Sequence, residues 1–344
     1  MLSAFTHRKF WVLSLLAFLA ACGGGSAGIP AAAPAPSSLP LPIVTPPATA
    51  TTLTLSHSTL ALKASGASRS FAVLNTGAHP ATWVEVDPTV ALPPGTTYLS
   101  NCGTLAPGAS CSITIDPGAV ASAVPGGTVS TSVSLAVRGS NTNTPTVDVF
   151  VLDYGSFYQG GHVFALSDAG PFTESVGGKV AIAGASGSLY AWSQHKVAPA
   201  AVFEVPGVSD DSTGPLPSCD GKFDGACNTQ LIVAADDHAG VPLANYAAGA
   251  CRATLNSYAD WYLPAICELS GSPAAGCISG ETVQEKLQTP GHASFPDSWS
   301  STQWSVGPTA LAWFHAFASP PGGNSAGTFK GIPTAVSCVR QLTR

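Results

Sequence analysis

Short runs in which apolar and polar residues alternate dominate residues 51–153. Leu53 and Leu55 alternate with threonines at the start of this region. Similar runs follow at residues 70–74, 82–86, 111–115, 132–137 and 147–151. Alternation with a period of two places successive side chains on opposite faces of a strand, and turns rich in glycine and proline separate the runs. The pattern predicts an all-β sandwich over residues 51–153.

Residues 156–344 mix strand and helix signals with more irregular sequence. Residues 158–166 are predicted to be a turn that leads into a strand, and apolar runs predict further strands at residues 178–183, 298–302, 310–317 and 335–340. Alanine-rich spacing predicts a helix over 245–255, and a helical turn is expected at 282–287, whereas residues 206–228 are loop-rich. Residues 320–330 form either a binding loop or the connection of a hairpin. We therefore expect a second, α+β domain over residues 156–344.

One stretch of this second part combines a carboxylate, large aromatic residues and a proline. Residues 260–264 read Asp-Trp-Tyr-Leu-Pro, and Glu268 follows four positions after the proline. A residue before proline is held in extended geometry, so Leu263 ends an extended segment, while Pro264 suits the first turn of a helix. Glu268 then lies near a helix N-terminus, where the helix dipole favours a carboxylate. We expect buried aromatic residues followed by a short helix.

The N-terminus has the layout of an export signal. A basic segment precedes an apolar run over residues 10–20, which is too short to span a bilayer. Small residues then lead to Cys22, in an arrangement that resembles the lipobox of bacterial lipoproteins. That resemblance implies removal of the signal peptide, residues 1–21, and acylation of Cys22; an ordinary signal peptide or an unprocessed anchor is the alternative. Because Gly23 follows rather than aspartate, resemblance to Gram-negative lipoproteins implies anchoring in the outer membrane.

Residues 22–50 are rich in proline, alanine and glycine. Such a segment cannot bury a hydrophobic core and favours extended polyproline II geometry. It is predicted to be a tether that holds the folded part of the chain away from the membrane.

The charge distribution excludes one class of partner. The formal net charge is -6, and residues 156–344 carry 8 Lys/Arg against 14 Asp/Glu. Nucleic-acid binding requires a basic stripe that neutralises phosphates, and the sequence has none. We therefore expect no nucleic-acid partner.

Cysteine usage agrees with export. The chain has nine cysteines, and setting Cys22 aside leaves an even number, as expected for disulfides in an oxidising compartment. Cys102 and Cys111 flank a turn and are compatible with a hairpin closed by a disulfide. The cysteines of residues 156–344 allow many pairings. Among these we favour two local bridges, Cys219–Cys227 and Cys267–Cys277.

The first domain resembles a known module. Residues 71–77 and 102–111 resemble bacterial immunoglobulin-like modules of the major-sperm-protein-like kind. The resemblance covers most of residues 51–153 and implies an immunoglobulin-like sandwich that spaces or binds. No catalytic grouping is visible in this region.

Four motifs in the second domain support another resemblance. They are residues 158–164, residues 260–264 with Glu268, residues 299–302 and residues 336–340. In this order they resemble the bacterial domain family typified by the C-terminal domain of the Legionella collagen-like adhesin, over nearly all of residues 156–344. The resemblance implies a C-type-lectin-like fold in which the motif residues are mainly structural. These residues are Asp260, Trp261, Leu263, Pro264, Glu268, Trp299, Ser300, Ser301, Thr302 and Arg340.

The same resemblance carries further expectations. It supports a bridge from the predicted helix to the last strand, Cys251–Cys338, and it makes trimerisation possible. Trp261 and Trp299 are expected in the core rather than stacked on a ligand. The adhesin domain is associated with sulfated polysaccharides, but a polyanion requires basic residues, and this domain is acidic. We therefore expect surface binding without the sulfated ligand.

Candidate chemistry in the polar clusters is weak. The densest cluster is residues 236–238, Asp-Asp-His, which is either part of a Ca²⁺ site or a solvated turn, and we favour the turn. The pairs Asp210 with Asp211 and Asp220 with Asp224 raise the same question without a complete ligand set. Residues 184–188 do not form a nucleophile elbow. No metal and no cofactor are expected.

A thiol enzyme would need a free cysteine beside a histidine. The candidate histidines are His195, His238, His292 and His315. We favour four disulfides instead, and hence a non-enzymatic envelope lipoprotein for adhesion or for glycan or matrix binding. An interaction or scaffold lipoprotein of an envelope complex is the alternative, and an enzyme on the lectin-like scaffold comes third. The sequence does not identify the ligand-binding residues.

Overall fold

The computed structural model describes residues 49–183, 188–194, 204–214, 217–253, 255–306, 310–319 and 323–344. The predicted signal peptide, Cys22 and nearly all of the tether lie outside the described residues. The first eight strands are β1 (Leu53–Leu55), β2 (Thr59–Lys63), β3 (Arg69–Asn75), β4 (Glu85–Val86), β5 (Thr97–Ser100), β6 (Ser110–Asp116), β7 (Val133–Arg138) and β8 (Thr146–Leu152).

These strands form two four-stranded sheets, with orders β1-β3-β6-β5 and β2-β8-β7-β4. Inward side chains of both sheets, among them Phe71, Ile113, Leu135 and Val149, share one hydrophobic core. The alternation in the sequence thus predicted this two-sheet sandwich, because β3, β6 and β7 bury every second residue. We call this part of the chain the sandwich.

Strand β2 was not predicted, and the reason is its environment. Leu60, Ala61 and Leu62 are all buried, so the strand has no polar alternation. β2 pairs in parallel with β8, and Ala61 packs into the core of the second part of the chain. A strand covered on both faces shows a continuous apolar run rather than alternation.

The second part of the chain, here called the head, combines sheets with short helices. Its elements are β9 (Phe157–Tyr158), β10 (Gly161–Ser167), β11 (Gly177–Ala183), α1 (Gly225–His238), α2 (Ala247–Arg252), α3 (Ile266–Leu269), β12 (Ser298–Gln303), β13 (Leu311–Ala316), β14 (Asn324–Phe329) and β15 (Ser337–Gln341). Two sheets have the orders β15-β11-β10-β9 and β12-β13-β14. The predicted strands and the helix near residue 250 are present. A π-helical turn, Gln284–Gln288, lies at the predicted helical turn. Both expectations for residues 320–330, a binding loop or the connection of a hairpin, are wrong for residues 324–329, because these form strand β14, paired antiparallel with β13.

Helix α1 corrects two expectations. It begins at Gly225, within the segment predicted as loop, and its last turn contains Asp236, which was expected in a solvated turn but is fully buried. The stripe that faces the core includes Asn228, Ile232 and Asp236 at helical spacing. Because most of this stripe is polar, a hydrophobic pattern with a period of 3.6 residues is absent.

The sandwich and the head pack together within one unit, Ala48–Arg344. Arg69 on β3 is buried, and its guanidinium donates to the Pro171 and Glu174 carbonyls and pairs with the Asp168 carboxylate at 3.2 Å. The Val176 amide donates to the Ala61 carbonyl at 2.8 Å. The segment that enters β11 is thereby fastened to both sheets of the sandwich.

Four disulfides join the expected partners. Cys102–Cys111 closes a turn of the sandwich, and Cys219–Cys227 and Cys267–Cys277 are local bridges in the head. Cys251–Cys338 joins α2 to β15 across 87 residues. All eight cysteines of the described part are therefore in bridges.

Replacing Arg69 tests the attachment between the two parts. Arg69→Ala leaves the Asp168 carboxylate and the carbonyls of Pro171 and Glu174 without this buried donor, so we expect unfolding to become easier by about 3 kcal/mol. Arg138→Ala is the matched control, since Arg138 is 41% exposed and pairs only with Glu85 and Asp87, at an expected cost below about 1 kcal/mol. Urea unfolding followed by tryptophan fluorescence measures both. Equal losses for the two variants would contradict the proposed role of Arg69.

Candidate functional site

The fold brings Gln159, Tyr258 and Asp260 of the head together around Arg340. The Arg340 guanidinium is buried and forms a bidentate pair with Asp260, at 2.7 and 2.9 Å. It also donates to the backbone and side-chain oxygens of Gln159, at 3.1 and 2.9 Å, and it lies 3.9 Å from the centre of the Tyr258 ring. The pair with Arg340 lowers the pKa of the Asp260 carboxyl below its ordinary value. One side chain thus joins three distant segments of the chain.

Two tight turns meet next to this guanidinium. Gln159 and Gly160 have positive φ and connect β9 to β10, and Asn256 and Ser257 have positive φ and connect Leu255 to Tyr258. The Asn256 side chain donates to the Gly160 carbonyl at 2.7 Å. Turns of this geometry carry backbone strain at non-glycine positions, which surrounding contacts must offset. Here the contacts with Arg340 and between the two turns hold them in place.

Glu268, another of the motif residues, is the centre of a second network of polar contacts in the head. Its carboxylate is buried and accepts from the Lys179 ammonium at 2.6 Å, the Tyr262 hydroxyl at 2.9 Å and the Ala265 amide at 2.8 Å. The last contact satisfies the N-terminus of α3, which explains a glutamate four residues after Pro264. Leu263 is buried and extended beside α1, where its amide donates to Thr229.

The Trp-Ser-Ser-Thr motif forms most of β12, which is buried along its whole length. The Ser300 hydroxyl donates to the Trp313 carbonyl, Ser301 accepts from Asn228, and the Thr302 hydroxyl donates to the Gly221 carbonyl. Hydroxyls are tolerated here because each finds a partner inside the protein. The Trp299 and Trp261 side chains are also fully buried. Both tryptophans therefore belong to the core, as predicted, and not to a ligand surface.

A cleft of about 550 Å³ opens where the sandwich meets the two turns of the head. We call it the junction cleft. Its lining is rich in hydroxyls and contains aromatic rings and, among its side chains, one carboxylate, one amide, one imidazole and one guanidinium. The lining residues are Ser56, His57, Ser58, Thr59, Ser130, Asp148, Phe150, Tyr158, Gln159, Ser175, Tyr258, Thr343 and Arg344. This size is in the range of small-molecule sites, about 300–1,000 Å³.

The sandwich contributes the outward face of β8. Val147, Val149 and Val151 point into the core, so Asp148 and Phe150 point towards the head. The Phe150 ring lies 4.8 Å from the Tyr158 ring, measured between centroids. The Asp148 carboxylate forms no hydrogen bond or ion pair within the described part of the chain. It is available to a ligand.

The head contributes the two turns described above. Gln159 is fixed by Thr343 as well as by Arg340, since its side-chain oxygen accepts from the Thr343 amide at 2.9 Å. Burial raises the pKa of the Tyr158 phenol above its ordinary value. The wall of the cleft on this side is therefore held by contacts within the head.

The sequence analysis missed the cleft residues, although one signal was present. In the alternating strand β8, Phe150 occupies a position that should face solvent. A large apolar residue on the polar face of a strand indicates that another element covers that face. The remaining lining residues are ordinary polar residues of loops, which carry no distinguishing pattern.

The acidic pair Asp220 and Asp224 lies in a region whose composition differs from that of the junction cleft. A depression of about 800 Å³ beside Cys219–Cys227 includes Asp220 and Asp224, but its lining contains no aromatic residue. Asp224 instead caps α1 by accepting from the Cys227 amide at 2.9 Å. Within the described residues, no group of three or more His, Cys, Asp or Glu side chains is placed to hold a metal ion.

The histidine candidates also have structural surroundings. His315 is buried between Ser325, at 2.9 Å, and Gln284, at 3.0 Å, and burial lowers its pKa to about 4. It is neutral and away from solvent. His238 lies in the exposed last turn of α1, and His292 packs against Gly155. His195 and residues 184–187 lie outside the described residues.

No family model matches the chain, and no curated protein matches it. Among solved structures, a protein of unknown function from Porphyromonas gingivalis W83 aligns with 31% of this chain and 49% of its own, at 14% identity and a TM-score of 0.22. Domains 4 and 5 of the S-layer protein SbsC align with 29% and 51%, at 12% identity and a TM-score of 0.21. The E. coli chaperone DraB aligns with 39% and 92%, at 13% identity and a TM-score of 0.25. The chain spans about half the length of the first two, and similarities this low carry no argument about fold or function.

The described residues contain no helix that is both long and apolar enough to cross a membrane.

Replacing Arg340 tests whether it holds the cleft wall. Arg340→Lys keeps the charge but loses the bidentate geometry and the contact to Gln159, so we expect a loss of about 2–3 kcal/mol in unfolding free energy. Arg252→Lys, at an exposed position of α2, is the control and should change stability by less than about 0.5 kcal/mol. Chemical denaturation measures both variants. A stable Arg340→Lys protein would show that the network is dispensable.

Proposed function

We propose that this protein is a non-enzymatic lipoprotein of the bacterial cell envelope. It is lipid-anchored through Cys22, in the outer membrane, and presents a lectin-like head for adhesion or for binding a glycan or matrix component. The lipobox-like N-terminus and the Pro-rich tether support the anchor. The junction cleft carries the binding function, because it joins a small-molecule-sized volume to hydroxyl, carboxylate and aromatic groups.

The proposal includes the fold of both parts. An immunoglobulin-like sandwich is supported by two stacked four-stranded sheets and the sequence resemblance of residues 51–153. A C-type-lectin-like head is supported by the four motifs and by the Cys251–Cys338 bridge between α2 and the last strand. The motif residues hold the head together, while the ligand sits at its border with the sandwich.

A protein-interaction or scaffold role is the second candidate, and one feature favours it. Strand β5 is exposed at all four positions on the edge of its sheet, where Leu99 is 78% exposed, and Trp83 elsewhere in the sandwich is 79% exposed. Exposed sheet edges and apolar side chains are common sites of protein contact. An enzymatic role has less support, since all eight described cysteines are in bridges.

Blocking the cleft tests the binding function. We expect full-length protein, purified from membranes in detergent, to bind at least one component of a panel of glycans and matrix proteins. Ser58→Trp places a large ring at an exposed position of the cleft lining and should abolish that binding. Ala78→Trp adds the same ring at an exposed position outside the lining and is the control. Retained binding by Ser58→Trp would show that the cleft is not the binding site. If partner proteins co-purify with the protein and no glycan or matrix component binds, the scaffold role would be favoured.

Replacing Cys22 tests the anchor. Cys22→Ser removes the thiol to which the lipid attaches, so we expect no incorporation of labelled fatty acid and accumulation of a precursor that retains residues 1–21. Ser26→Ala, four residues further along the tether, should be processed normally. Labelled fatty acid on the Cys22→Ser protein would contradict the anchor.

A further inference from the structure

We infer that the junction cleft binds an uncharged saccharide, with a sugar ring against Tyr258 and a sugar hydroxyl on Asp148. This inference rests on the proposed binding function and narrows it to one class of ligand. A pyranose presents apolar C–H faces that pack on aromatic rings and hydroxyls that both donate and accept hydrogen bonds. The cleft contains groups that match each of these surfaces.

The aromatic wall is held in place before any ligand arrives. Arg340 lies against the Tyr258 ring, and Gly160 approaches the edge of that ring so closely that a Cβ at this position would lie 3.0 Å from it. Arg340 is itself fixed by Asp260 and Gln159. A ring with so little freedom loses little entropy on binding, which favours affinity for a flat ligand face.

The polar wall accepts and donates in the way that sugar hydroxyls require. Asp148 is an acceptor without a partner in the described part of the chain. Ser58 and Ser130 are exposed hydroxyls in the same lining and serve as donors or acceptors. A sugar hydroxyl that donates to the carboxylate forms a charge-assisted hydrogen bond, which is stronger than a neutral one.

The charges disfavour an anionic ligand. Arg344 is the one guanidinium in the lining, and it already donates to the Ala169 carbonyl at 2.9 Å and lies 4.0 Å from the Glu174 carboxylate. A sulfate or carboxylate group in the cleft would meet the Asp148 carboxylate, and the Arg344 guanidinium already has contacts with Ala169 and Glu174. The lining therefore selects against charged saccharides, in agreement with the acidic composition of the head.

An array that contains neutral, carboxylated and sulfated saccharides, probed with the full-length protein in detergent, tests the ligand class. We expect binding to a neutral saccharide, followed by calorimetric titration with the best one. Asp148→Asn and Tyr258→Ala should each weaken the affinity by about tenfold or more, as expected for the loss of one strong contact. Tyr258→Phe keeps the ring and should bind nearly as well, and Asp237→Asn, at an exposed position of α1, should not differ from the unmodified protein.

The possible failures are distinguishable. Binding confined to sulfated or carboxylated saccharides, or neutral binding unaffected by Asp148→Asn and Tyr258→Ala, overturns this inference but leaves the proposed function standing. If the protein binds only matrix proteins or peptides, and Ser58→Trp abolishes that binding, the saccharide inference is also overturned and the proposed function stands. The absence of any glycan or matrix ligand overturns both. Circular dichroism and thermal unfolding of each variant show whether a variant that has lost affinity is still folded.

Discussion

The buried guanidinium of Arg340 is the interaction on which the head depends most directly. The Arg340 side chain is only 1% exposed. Its buried charge is tolerated because its N–H groups donate to oxygen atoms of Asp260 and Gln159. The positions involved lie near the start, in the middle and near the end of the head sequence, so removal of β15 would take away a contact to both turns. The same charge fixes Tyr258 and Gln159, which line the junction cleft. Stability and the proposed recognition therefore share one network.

The second constraint is that the sandwich sheet containing β2 and β8 is covered on both faces. Strand β2 supplies Leu60 and Leu62 to the sandwich core and Ala61 to the core of the head. Arg69 then fastens the segment before β11 to the sandwich through backbone carbonyls. These contacts create the cleft, because they bring the outward face of β8 against the turns of the head. A cleft built from two sheets and two turns is less mobile than a site on a single loop.

Particular residues show how far sequence reasoning reached. The alternation in β3, β6, β7 and β8 predicted those strands, since one face of each is apolar. Local bridges such as Cys219–Cys227 followed from spacing, and the Cys251–Cys338 bridge followed from the resemblance. The helix α1 was missed because Asn228 and Asp236 on its buried face bond to other parts of the chain. The pattern of a single segment does not contain those partners.

The sequence by itself determined the β-rich character of residues 51–153 and the burial of Trp261 and Trp299, and its N-terminal pattern predicts an export signal and a tether. These properties depend on local periodicity or on motifs within short segments. Only the tertiary structure decided that Asp260 pairs with Arg340, that Glu268 caps α3 while holding Lys179, and that Asp148 and Tyr258 line one cleft. Each of these arrangements joins residues from separate elements, and their geometry follows from how the sheets pack. The junction cleft belongs to this second group, because its walls come from both parts of the chain and neither part contains it alone.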